Sequence, residues 1–361
     1  MKIGLIKEIK ENEHRVAITP NGVRELVDRG HSVCVTFEAG VGSGYSDDDY
    51  ISSGATICHD FYAWDSDLVV KVKEPLEEEY KYFNGQILFT YLHLAGVDKN
   101  LTLKLLSTNT TAIAYESVAD EHGNLPLLSP MSAIAGTMAI TIGSYYLQYA
   151  GDLRGSGVQI GDINGNTSGN VVVVGDGVVG RHAAKMASGM GSNVVLLGLD
   201  VECQKYFGDG SDVIYRKSTK ENLEYYIKDA DLVVGAVSIP GKKAPVVVTE
   251  DMVRSMRNGS VIVDVSIDQG GCIETSRMRT HKHPIYSKHG VIHYCVSNMP
   301  GTYPRSATDI LTESTLPYIT RLASTGIDKL DSNFKKGVYV HGGKITNLNV
   351  AESLDLVEYY E

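Results

Sequence analysis

The run "VVVVGDGVVG", Val171–Gly180, restricts the chain more than any other stretch. Four consecutive valines ask for a strand buried on both faces, as in a parallel sheet covered by helices. Gly175, Gly177 and Gly180 follow at G-x-G-x-x-G spacing and open a helical segment with Val179, Ala183, Ala187 and Met190 on one face. Strand, glycine turn and helix in that order form the start of a dinucleotide site, where amides at a helix N-terminus meet a pyrophosphate. A tight strand–helix turn that binds nothing has the same spacing. Two residues are out of place for such a site. Asp176 puts an acid between the first two glycines, which opposes a pyrophosphate unless the side chain turns away. The next strand, "VVLLGLD", ends on Gly198 where an acid ordinarily holds the ribose, leaving Asp200 as the nearest acid that could reach it.

Short apolar strands alternate with helical segments on either side of this motif. "MKIGLI", "HSVCVTF", "LVVKVKE", "GQILFTYLH" and "TAIAYESV" read as strands of a first block, and "NVVVVG", "NVVLLG", "DLVVGAV", "SVIVDVSID" and "IHYCVSN" as strands of a second. Between them "TPNGVRELVDRG" reads as a helix capped by Thr19, with Pro20 in its first turn and Gly30 as its stop. "YSDDDYISSG" is a short helix capped by Ser46, and "DILTESTLPYITRLASTG" is helical. The pattern predicts an α/β chain of two Rossmann-like domains with parallel sheets and an active-site cleft between them. A length of 361 residues is ample for two such cores.

Between Glu121 and Asp152 there is no Asp, Glu, Lys or Arg. Its prolines and many Ser, Thr and Gly residues argue against a membrane span and for a small-residue packed helix, "MSAIAGTMAITIGSYYL". The polar "GSGVQIGDINGNTSGN" after it reads as a surface loop. A net charge of -11 with no Lys/Arg block disfavours nucleic acid and anionic membranes as partners. The five cysteines are scattered, with no C-x-x-C pair, so they indicate neither a metal site nor a disulfide framework, and a reducing cytoplasm fits.

In open parallel sheets ligands sit beyond the carboxyl ends of the strands. There the first block presents Arg15, Lys73, His93 and Glu116, and the second Ser238, Asp268 and Asn298. Singly, each is what a solvated strand end or a surface loop presents. Jointly they make a usable set. Arg15 and Lys73 can hold an α-carboxylate and its neighbouring carbonyl, His93 can carry a proton near neutral pH, and Asp268 can carry a second or orient the first.

Nearly the whole chain resembles the alanine dehydrogenases and, more distantly, the nucleotide-binding subunit of nicotinamide nucleotide transhydrogenase. The resemblance rests on "EIKENEHRVAITPNGVRELVDRGHSV", "LVVKVKEP", "GQILFTYLHLA", "LPLLSPMSAIAG", "DADLVVGAV", "VIVDVSIDQGGC", "YCVSNMPG" and "STLPYITRLA" in family order. It implies oxidation of L-alanine to pyruvate and ammonia with NAD, with Arg15 and Lys73 binding substrate and His93 and Asp268 moving protons. It also implies a cofactor lining of Ser132, Gly175, Gly177, Gly180, Ser218, Val237, Ser238, Val265, Ser266, Ile267, Asp268, Val296, Ser297, Asn298 and Met299, to which the start of the helix adds Val178 and Val179 and the tip of the next strand Gly198 and Asp200. No metal is implied. The family forms homo-hexamers. Its substrate domain is built from both chain ends, here residues 1–126 and 305–361, around an inserted dinucleotide domain, 127–304.

The chain departs from the family at Asp176, Gly198 and Cys203 on the adenosine side, and at Ala133 and Ile6 elsewhere. Three other readings share these residues: a transhydrogenase nucleotide subunit, an amino-acid dehydrogenase for another small substrate, and a non-catalytic nucleotide sensor. The joint presence of Arg15, Lys73, His93 and Asp268 speaks against the sensor.

Overall fold

The computed structural model describes residues 1–361 apart from 95–96, 152–153, 209–210 and 240–242. The chain divides into two compact units, one of Met1–Met131 with Gly301–Glu361 and one of Ser132–Pro300. The expected limits at 126/127 and 304/305 differ from this by a few residues. Leu127 stays with the first unit because its carbonyl accepts the Tyr91 hydroxyl at 2.5 Å.

The first unit is an eight-stranded sheet. Its parallel part runs Thr56–Cys58, Ser32–Thr36, Lys2–Leu5, Leu68–Val70, Ile87–Thr90, Thr111–Ala114 from edge to centre. In chain order that is 3-2-1-4-5-6, the doubly wound order whose switch point lies between the first and fourth strands. The expected parallel sheet is present, and Val338–His341 and Lys344–Ile345 extend it antiparallel at one edge. These two strands are joined by the glycine pair Gly342 and Gly343, both at positive φ, which lets the chain reverse at once. A covered antiparallel edge on a parallel sheet is a common ending.

The second unit repeats the order. Val213–Lys217, Asn193–Gly198, Asn170–Val174, Leu232–Gly235, Val261–Asp264 and Val291–Tyr294 are parallel, and Ile285–Lys288 adds an antiparallel edge. The valine strand is therefore central, and Val171–Val174 are all buried. The helix Val178–Gly189 packs through Gly180, Ala183, Ala184 and Ala187, a narrower face than the valine and methionine expected beside them. Residues 155–170 are not a plain loop: Gly161–Ile163 and Asn166–Ser168 form a hairpin turned at Asn164 and Gly165, both at positive φ.

The local expectations for helix ends are met in detail. Thr19 accepts the Gly22 amide ahead of Pro20–Asp28, and Ser46 with Asp49 forms a capping box on Asp47–Ser52. The uncharged stretch carries the helix Ser129–Tyr146; Asp152 lies outside the described residues. Among the described residues no helix is long and apolar enough to cross a membrane.

The cysteines correct the reading. Cys34 and Cys58 form a disulfide with Cα atoms 6.2 Å apart. Their strands are parallel neighbours in which Cys34 pairs with Thr56 and Thr36 with Cys58. The two cysteines thus stand diagonally on one face, a proximity that their spacing in the chain conceals.

Candidate active site

In the first unit the candidate residues gather at the switch point. The loop after Lys2–Leu5 carries Arg15, and the segment after Leu68–Val70 carries Lys73. Arg15 is no surface charge: it is 2% exposed and bound by Glu13 through Nε to Oε1 at 2.7 Å and a second nitrogen to Oε2 at 2.6 Å. Burial alone would lower its pKa, but Glu13 outweighs burial and the guanidinium stays charged. Lys73 lies beyond the strand end, half-buried. Its ammonium makes no hydrogen bond or ion pair among the described residues. Burial first, and then the charge of Arg15, push its pKa down.

Beneath this pair lies a charged group that the sequence reading passed over. Lys71, fully buried, sits between Glu8 at 3.2 Å and Glu79 at 2.6 Å. Glu8 also accepts the amides of Val72 at 2.6 Å and Lys73 at 3.2 Å, so one buried carboxylate fixes the backbone that presents Lys73. Burial raises the Glu8 pKa against the pull of Lys71. Lys71 and Lys73 alternate in "LVVKVKE"; the signal was there, but a strand-end search picks only the outer one.

His93 follows Ile87–Thr90 with φ at 45°, a left-handed backbone rare outside glycine. Its ring is roughly half exposed and lies parallel to that of Tyr91, with centroids 5.9 Å apart. Glu116, in the turn Tyr115–Ser117, accepts the His93 amide at 2.7 Å and the Leu92 amide at 3.2 Å.

In the second unit the glycine turn is built for close approach. Gly175 has φ at 111°, and a Cβ there would strike the backbone carbonyl of Ala236, just past the neighbouring central strand. A Cβ on Gly180 would strike the Gly175 carbonyl. Gly177, the cap of the helix, faces open space with nothing within 4 Å of a built Cβ. The first and third glycines are thus needed for packing, and the second leaves the helix N-terminus uncovered. A pyrophosphate fits that cradle.

Asp176 does not point into it. Its Oδ2 accepts the Asp200 amide at 2.7 Å and the Tyr215 hydroxyl at 3.1 Å, across the end of the neighbouring strand. Asp200 itself caps the turn Val201–Phe207 by accepting the Glu202 amide at 3.0 Å, and faces Arg181 at 3.8 Å. Cys203 is buried in that turn, its thiol pKa raised chiefly by burial.

Asp268 lies in the turn Val265–Gln269, past the end of its strand, and accepts the Asn298 amide at 3.3 Å. This turn also holds Val265, Ser266 and Ile267. Asp264 organises it from within: fully buried, it accepts the amides of Ser266 at 3.1 Å and Cys272 at 3.0 Å and the Ser276 hydroxyl at 2.6 Å. Ser238 donates to the Gln269 amide oxygen at 3.0 Å, which ties the loop after Leu232–Gly235 to the same turn. Val237 precedes it, Ser218 donates its amide to the Gly198 carbonyl at 2.7 Å, and Val296–Met299 follow the strand Val291–Tyr294. These expected lining residues all stand at the carboxyl edge of one sheet. Ser132 lies on the helix Ser129–Tyr146.

Residues 4–135 match the model of the alanine dehydrogenase/PNT N-terminal domain, and 139–348 that of its C-terminal domain. The chain belongs to the alanine dehydrogenase/PNT family. An alanine dehydrogenase of Staphylococcus epidermidis is 47% identical over 363 residues, spanning 98% of this chain and 97% of its own length. One from Staphylococcus saprophyticus is 48% identical, with 99% and 97% covered. A solved L-alanine dehydrogenase superposes with a TM-score of 0.91 at 43% identity, over 99% of this chain and all of its own. A solved transhydrogenase from Sinorhizobium meliloti shares the fold, with a TM-score of 0.84 at 22% identity and 96% of this chain covered. The family is one of nicotinamide-dependent dehydrogenases, which the glycine cradle suits. Of the departures from the family pattern, Ile6 is simply core, 2% exposed, while Asp176, Gly198 and Cys203 fall together at one strand tip.

Proposed function

We propose that the protein interconverts L-alanine and pyruvate with NAD: L-alanine, NAD⁺ and water give pyruvate, ammonium, NADH and a proton. The observation that carries this reading is the Arg15–Lys73 pair. Two cations lie near each other at a switch point, one locked by Glu13 and the other with its ammonium uncommitted among the described residues. That is a receptor for a small carboxylate with a polar group on the next carbon.

Arg15 and Lys73 hold the carboxylate and the adjacent carbonyl or amine. His93 takes a proton as alanine's ammonium is neutralised, releases it to solvent, then takes a second from the water that adds to the imino carbon and returns that one to the departing nitrogen. Asp268 is the second proton carrier, or orients the water. Gly177 and the helix amides beyond it would hold the pyrophosphate of NAD, which would supply the hydride acceptor. The methyl of alanine needs only a small apolar wall, for which buried Tyr91 and Met131 are candidates.

The proposal extends to a homo-hexamer, as the family resemblance implies, working in the cytoplasm. Light scattering reads the assembly. The chemistry is tested by NADH absorbance. Oxidation is expected only when pyruvate and ammonium are both present. Equal rates without ammonium would mean a hydroxy-acid dehydrogenase, and activity confined to larger oxo acids a different amino-acid substrate.

A further inference from the structure

The strand Asn193–Gly198 ends where a dinucleotide fold places the acid that binds the adenosine ribose, and Gly198 has no side chain to offer. The space a side chain would fill there is not open. A Cβ built on Gly198 falls inside contact distance of the Asp176 carboxylate, its nearest neighbours being Oδ2, Cγ and Cβ of that residue. The register explains why. Leu197 pairs with Val174, and Gly175 donates its amide to the Leu197 carbonyl at 2.7 Å. The glycine turn therefore leaves its strand alongside the tip of the next one, and Asp176 reaches across to it. Only a glycine at 198 leaves room for that reach.

We propose that Asp176 is the ribose-binding acid of this protein, delivered from the glycine turn into the place ordinarily served from the strand end. The inference rests on the reading that this unit binds NAD. Oδ2 is taken by the Asp200 amide and the Tyr215 hydroxyl, which hold the carboxylate in place. Oδ1 accepts no hydrogen bond among the described residues, so one oxygen remains for the ribose hydroxyls. Asp200, the other acid at this tip, is committed to the Glu202 amide and faces Arg181. The acid between the glycines is then no obstacle to the pyrophosphate, because it is turned sideways. Its charge also repels a 2′-phosphate, so NAD is favoured over NADP without an acid at position 198.

The test is binding, read by fluorescence titration of NADH, of NADPH, and of an NADH analogue lacking both hydroxyls of the adenosine ribose. The wild type binds NADH about tenfold to a hundredfold more tightly than the analogue, the loss expected for hydrogen bonds to a charged acceptor. Asp176→Ala binds NADH and the analogue alike, and its preference for NADH over NADPH shrinks. If Asp176 were only a brace for the Asp200 loop, Asp176→Ala would weaken both ligands and keep the wild-type preference, and the proposal would fall. Gly198→Asp gives an independent arm, since it leaves Asp176 in place. A second acid must push into occupied space beside a like charge, so it weakens NADH binding, while Gly198→Asp combined with Asp176→Gly restores it. Tighter NADH binding by Gly198→Asp alone would overturn the proposal. A wild type that binds no dinucleotide would instead overturn the NAD reading, and this inference with it.

Discussion

Glu116 holds His93 by its backbone rather than by its ring. The carboxylate accepts the His93 amide at 2.7 Å, whereas the same oxygen is 3.8 Å from Nδ1, too far for a hydrogen bond. A left-handed, non-glycine residue costs about 1–3 kcal/mol and persists only where its surroundings impose it. Here Glu116 imposes it from the turn that follows the next strand, and the flat stack on Tyr91 fixes the ring plane.

His93→Ala is expected to lower kcat by about two to four powers of ten, the range of a positioned acid or base. Glu116 is a positioning residue, so Glu116→Ala should lower kcat less, and Glu116→Gln, which keeps an acceptor for the two amides, should recover most of it. Steady-state kinetics of the three variants checks this. Equal loss in Glu116→Gln and Glu116→Ala would mean that charge rather than backbone placement matters.

Lys73 is expected to act through its charge. Lys73→Ala should raise the pyruvate KM by about tenfold or more, the worth of a charge-assisted hydrogen bond. Burial and the neighbouring Arg15 hold its pKa below the ordinary lysine value of 10.5. The charged form is therefore lost, as pH rises, earlier than for a free lysine, and kcat/KM for pyruvate should fall on the alkaline side. Lys73→Arg should move that limb upward. An unmoved limb assigns the titration to another group.

Lys71→Met should destabilise the first unit by about 3–5 kcal/mol, because it leaves Glu8 and Glu79 buried without their cation. Adding Glu8→Gln and Glu79→Gln should recover part of the loss. Urea unfolding measures both. A loss below about 1 kcal/mol would show that the carboxylates relax to other partners.

The two blocks of parallel strands, the helix caps and the position of the glycine turn were legible, because each is written in local pattern: valine runs, Thr19-Pro20, Ser46 with Asp49. Arg15, Lys73, His93 and Asp268 were legible as strand-end polar residues. Their supports were not. Glu13 lies two residues from Arg15, yet nothing in "ENEHR" says that its carboxylate folds back on the guanidinium. Asp264 reads as one more residue of a buried strand until its three partners, Ser266, Cys272 and Ser276, close around it. Asp176 and Gly198 look like two separate defects in sequence. They form one arrangement only because the strand register sets them side by side, and register is not written in either residue.

Acid should destabilise the second unit through His293. This histidine is fully buried in the strand Val291–Tyr294, with Nδ1 donating to the Val291 carbonyl at 3.0 Å and Nε2 accepting from the Thr275 hydroxyl at 2.7 Å, the tautomer this network requires. Burial, before any other cause, lowers its pKa from 6.5 to about 4, with Lys288 and His289 pushing the same way. Between those values the unfolded chain binds a proton that the folded one refuses, so stability is present above pH 6.5 and is lost as pH falls toward 4. At pH 5 the loss amounts to about 2 kcal/mol, from the linkage relation of roughly 1.4 kcal/mol per pH unit. Glu8 and Asp264, whose pKa values burial raises, titrate with the opposite sign, so the wild type alone does not isolate the effect. The comparison that does is His293→Gln, which cannot titrate. Its urea midpoint should lie below that of the wild type at pH 7.5, and the gap should narrow steadily toward pH 5. A gap that stays constant with pH would mean that His293 is not the group taking up the proton.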